Sequence, residues 1–138
     1  MPSFIRFAAI ALLALVSALP AQAQQIGVGV AQAPEAGMGV CFGEGADATL
    51  ACARQACMEE SGLGPSDCLR TNWCYPAGWT ADIFMQHQEG LHWHEVACGW
   101  NDRAQLEKAV AVKCESEWLI ECSIVRMWDN QGEEITFD

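Results

Sequence analysis

The segment CFGEGADATLACARQAC, residues 41 to 57, decides the reading of this chain, because it aligns without a gap on CGWNDRAQLEKAVAVKC, residues 98 to 114. In each, 16 positions separate the first and last cysteine, and a further cysteine follows, Cys68 after 11 residues and Cys122 after 8. The text beyond agrees as well, since CLRTNW aligns with CSIVRMW across one extra residue. Two copies argue for a duplicated unit, not a solenoid.

In the second copy, Asp102 and Gln105 stand three apart, the spacing of a helix N-cap and its partner. Leu106, Ala109, Val110 and Lys113/Cys114 then keep a 3.6-residue period. A helix is expected to end near Cys114. In the first copy Asp47 is read as the opening residue, Leu50, Ala53 and Cys57 share one face, and Gly62 of SGLG stops the helix, which ends near Glu59.

Working outward, each helix is preceded by an extended pair, IGVGVAQ with MGVCF and then TADIFMQ with LHWHEVAC, and followed by one strand. YPAG reads as the turn between units, and DNQG with EEITF as a final hairpin strand. The expectation is an α+β fold: a mostly antiparallel sheet with two helices on one face, built from a duplicated strand-strand-helix-strand unit and stapled by disulfides. The repeats would cover about residues 26–75 and 79–129 of one domain, 24–138.

The first 23 residues carry Arg6, an apolar run from Phe7 to Leu19 and the small-residue site Ala21-Gln22-Ala23, which together read as a secretory signal peptide. The run is shorter than the roughly 20 residues a membrane span needs, so no stable membrane anchor is expected. Export to the periplasm or the extracellular space follows. Removing Arg6 takes the formal net charge from −11 to −12, which argues against nucleic acid as a partner and favours a protein, a basic one in particular.

All eight cysteines lie beyond the signal peptide and none forms a C-x-x-C pair, so a four-disulfide framework is expected. Cys41 cannot reach Cys57 across a helix of about 12 residues, near 18 Å long. Matched bridges from helix end to following strand would join Cys57 with Cys68 and Cys114 with Cys122. For the rest, Cys41 with Cys98 across the copies and Cys52 with Cys74 is one solution; Cys41 with Cys74 and Cys52 with Cys98 is the rival.

The helix text ADATLACARQAC, the cysteine-led strand and NWC, with RAQLEKAVAVKC and CSIV in the second copy, resemble a family of small secreted bacterial domains without assigned function, over about residues 40 to 128. The resemblance implies export, disulfides and a small α+β domain, and implies no activity. The second copy lacks the cysteine of NWC.

Three histidines, His87, His92 and His94, surround one hairpin. A two-residue Glu89-Gly90 turn would set all three on one face as a zinc or copper site; a three-residue turn would pair His87 with Leu91 and send it to the other face. The repeat favours the three-residue turn, because Ile83, Met85 and His87 align with the apolar Ile26, Val28 and Val30. His92 and His94 would then point outward, as solvated residues or a pH-sensitive contact surface. Of six tryptophans, Trp73 and Trp128 read as core, while Trp79, Trp100 and Trp118 flank turns or helix ends, where exposed rings would stack on a glycan or seat a protein.

No G-x-S-x-G elbow, H-E-x-x-H helix or phosphate-binding glycine loop occurs. The expected function is therefore an exported, non-catalytic binding module without a cofactor, directed at a protein, one concrete form being an inhibitor of a basic extracytoplasmic enzyme. The alternatives are a metal site on the histidines and glycan binding on the tryptophans.

Overall fold

A computed structural model describes residues 25–137; the signal-peptide reading falls on residues outside that range. Eight elements follow one another: β1 (Gly27–Ala33), β2 (Gly37–Gly43), α1 (Ala46–Ser61), β3 (Leu69–Cys74), β4 (Trp79–His87), β5 (His92–Trp100), α2 (Arg103–Lys113) and β6 (Leu119–Trp128). The fold is α+β, and the order strand, strand, helix, strand runs twice.

The strands form two antiparallel three-stranded sheets, ordered β2-β1-β3 and β5-β4-β6, where a single sheet was expected. Alternation along the central strands explains the difference. Gly29, Ala31 and Ala33 of β1 turn toward α1, and Ala31 and Ala33 cluster there with Ala53, Cys57 and Cys68. Val28 and Val30 turn the other way and share a core with Met38 of β2 and Val96 of β5. In the second sheet Ala81, Ile83 and Met85 of β4 pack on Leu106 and Val110 of α2. Both central strands are thus buried on two faces, and the layers run α1, first sheet, second sheet, α2.

Aligned positions consequently look in opposite directions: Val28 and Val30 face the other sheet, whereas Ile83 and Met85 face a helix. The sheets touch through the rings of Phe42 and Trp128, 5.9 Å apart, and through a hydrogen bond from the Gln32 side-chain amide to the His94 carbonyl, 2.7 Å.

Helix α1 stops where expected, with Gly62 in the left-handed region (φ 70°) and its N–H on the Met58 carbonyl. Its start differs. The N-cap is Gly45, which has no side chain to cap with, and Asp47 sits in the first turn, where its charge complements the helix dipole. Helix α2 begins as read, with Asp102 Oδ1 accepting the Gln105 N–H at 2.8 Å. Asp102→Ala is expected to cost about 1 kcal/mol, measured as a lowered urea midpoint; an unchanged midpoint would mean the cap adds nothing to this helix.

All eight cysteines are bridged: Cys41–Cys52, Cys57–Cys68, Cys74–Cys98 and Cys114–Cys122. The two helix-end bridges match the reading. The expected Cys41–Cys98 and Cys52–Cys74 pairs do not form, nor does the rival set. Cys41 lies on the helix side of β2, one residue from the inward Val40 and Phe42, and so meets Cys52 on α1. On β5, Val96 and Cys98 stand two apart and share one face, while Ala97 between them faces α2. Cys98 therefore points between the sheets, where Cys74 stands.

Two smaller expectations also change. EEITF makes only one bridge, Glu134 with Trp128, because consecutive glutamates are poor strand formers and Asp129 Oδ1 collects the Gln131 and Glu133 N–H groups into a turn. Trp128 is core, but Trp73 is half-buried over Gly27 and stacked with exposed Tyr75 at 6.4 Å, since it lies on an edge strand.

Candidate functional site

The hairpin register answers the histidine question. Gln86 pairs with His92, Phe84 with His94, and the His87 N–H donates to the Leu91 carbonyl at 2.7 Å, so the turn has three residues. His87 is separated from His92 and His94, and among the described residues no group of three metal-ligating side chains assembles. The zinc or copper arrangement needs the shorter turn, which the strands do not make. His87 instead stacks on Trp118, with centroids 6.2 Å apart and planes 11° from parallel, and its Nδ1 accepts the Glu89 N–H.

His92 and His94 do not simply face solvent. They lie on the side of the second sheet that meets the first, beside Phe84, whose ring centroid is 6.0 Å from that of His92 and 5.5 Å from that of His94. At the centre of this face is Asp82, whose side chain is 1% exposed. Its Oδ1 is 2.7 Å from His94 Nδ1, and its Oδ2 accepts from Arg126 Nε at 3.1 Å. A buried carboxylate needs such partners, and these two come from the strands on either side of β4.

The consequence is orientation. A carboxylate at Nδ1 makes that nitrogen the donor and leaves His94 Nε2 for another partner. Arg126 spends one of its five N–H donors on Asp82 and lays its guanidinium 5.4 Å above the Trp128 ring centroid. Sequence reading missed both Asp82 and Arg126. A signal existed, because Asp is disfavoured in strands yet stands inside the apolar run TADIFM.

This network walls a cavity of about 370 Å³ between the sheets. The opposite wall is the β1–β2 hairpin from Gln32 to Met38, and Leu69, Thr71 and Glu60 complete it. That volume lies within the range of small-ligand sites.

The tryptophans divide. Trp79 and Trp100 pair across β4 and β5 and pack against the core under α2, so they offer no free platform for a sugar. Trp118 is 55% exposed. Beside it at the same end of the second sheet stand Leu91 and Ile120, 59% and 65% exposed. Four exposed carboxylates, Glu89, Glu115, Glu117 and Glu121, lie within three residues of them along the chain.

Comparison of the chain with protein-family models, with curated proteins and with solved structures finds no match to any. The resemblance noted from the helix and cysteine text therefore gains no support there. Among the described residues no helix is long and apolar enough to cross a membrane.

Proposed function

We propose that this chain is an exported, non-catalytic module that binds a basic protein, and that it does so around Trp118. The observation that carries the reading is the exposure of Leu91, Trp118 and Ile120 at one end of the second sheet, with exposed Glu89, Glu115, Glu117 and Glu121 close by in the chain. Interfaces concentrate their energy in such a large ring surrounded by polar residues, and the carboxylates would steer a cationic partner. Four disulfides suit an oxidising compartment outside the cytoplasm and hold the surface in one shape before it binds. A basic enzyme that degrades the cell wall is the concrete partner class.

The test is titration of oxidised protein against basic lysozymes at low and high salt, with inhibition read in parallel. Binding that weakens with salt is expected, and Trp118→Ala should lower affinity about 30-fold, a loss of about 2 kcal/mol. The reading is abandoned if no basic lysozyme binds in a salt-dependent way, or if Trp118→Ala binds as tightly as the parent.

A further inference from the structure

The cavity between the sheets is a separate surface from the one around Trp118, since neither Leu91, Trp118 nor Ile120 lines it. Its two walls present groups of opposite charge, the Arg126 guanidinium on one and two carboxylates on the other. On the second sheet are Arg126, His92 and His94, with the first and last oriented by the buried Asp82. On the facing hairpin and the end of α1 are Glu35 and Glu60, both exposed carboxylates. Between them the lining is apolar, provided by Pro34, Met38 and Leu69.

From this arrangement we infer that the cavity binds a small zwitterion, a short peptide with free ends and apolar side chains, its carboxylate on Arg126 and its ammonium toward Glu35 and Glu60. A simple anion would meet the two glutamates, and a simple cation would meet Arg126; a molecule with charges at both ends satisfies both walls. The guanidinium is preorganised for the role. Asp82 holds Nε, the Trp128 ring supports the plane from one side, and the remaining N–H groups form a fork suited to a carboxylate. Asp82 is thereby a positioning residue. Gln32 and Thr71 supply polar groups for the peptide unit, and the apolar lining takes the side chains.

Calorimetry is the readout. The probe is the dipeptide Leu-Leu, compared with its C-terminal amide and its N-acetyl derivative on the same oxidised protein. Free Leu-Leu is expected to bind one to one at millimolar concentration or below. Amidation should weaken it about tenfold or more, acetylation several-fold, and Arg126→Gln should reproduce the effect of amidation. The modified ligands keep the test decisive if Arg126→Gln fails to fold. Absence of binding by free Leu-Leu overturns the inference, as does equal affinity for the amide or for the acetylated form. These outcomes are independent of whether a basic protein binds at Trp118.

Discussion

Gly39→Val is expected to destabilise the protein by about 3 kcal/mol or more, the largest effect of any single substitution considered for it. Gly39 is buried on β2 and faces α1, and a Cβ there would overlap the carbonyl oxygen of Ala53 and stand 2.5 Å from the Cys57 amide nitrogen. Both obstacles are helix backbone, so no side chain can rotate away. The helix cannot retreat easily either, because Cys41–Cys52 and Cys57–Cys68 tie it to the chain on both sides of its length. The clash also explains why α1 is alanine-rich and β1 and β2 glycine-rich: helix and sheet lie almost backbone to backbone. Urea denaturation with the disulfides intact measures the effect. Gly64→Ala, where an added Cβ would meet nothing closer than 3.5 Å, is the control and should stay within about 0.5 kcal/mol. Equal stability of Gly39→Val and the parent would show that α1 does not sit where described.

Removing the Cys74–Cys98 bridge through Cys74→Ser with Cys98→Ser is expected to cost about 3 kcal/mol, from the entropy of a loop whose ends are 24 residues apart. This bridge differs from the other three in what it joins. Cys41–Cys52 and Cys57–Cys68 lie within the first four elements and Cys114–Cys122 within the last four, so Cys74–Cys98 is the one that links the two sheets. Its loss should fall on the contact between them, through Val28, Val30, Met38 and Val96. Hydrogen exchange would then rise on the inward strands β1 and β5 more than on α2. A uniform rise, or none, would mean that the apolar contact alone sets the inter-sheet stability.

Local features were legible because their causes are local. The Asp102 cap needs only a carboxylate three residues before an N–H; Gly62 needs only the left-handed conformation that side chains resist; Cys114 and Cys122 need only a helix that ends and a strand that starts nearby. The three-residue turn before Leu91 was likewise the reading that the apolar alternation favoured.

The site is another matter, because its members are far apart in the chain. Asp82 finds His94 after 12 residues and Arg126 after 44, and nothing in TADIFM says which strands will flank it. Cys41 and Cys98 illustrate the same limit: a gapless alignment equates them, yet Cys98 shares with Val96 the face toward the other sheet while Cys41 faces its own helix. What the sequence determined by itself was the α+β class, the strand-strand-helix-strand order run twice, both helix-end bridges, the Asp102 cap and the Gly62 stop, all set by neighbours within a few turns of chain. The tertiary structure alone decided that the strands divide into two stacked sheets, which pair joins them, and that a buried aspartate orients His94 and Arg126 over a cavity. Those outcomes depend on which face each strand buries, and a shift of one residue in register reverses that face.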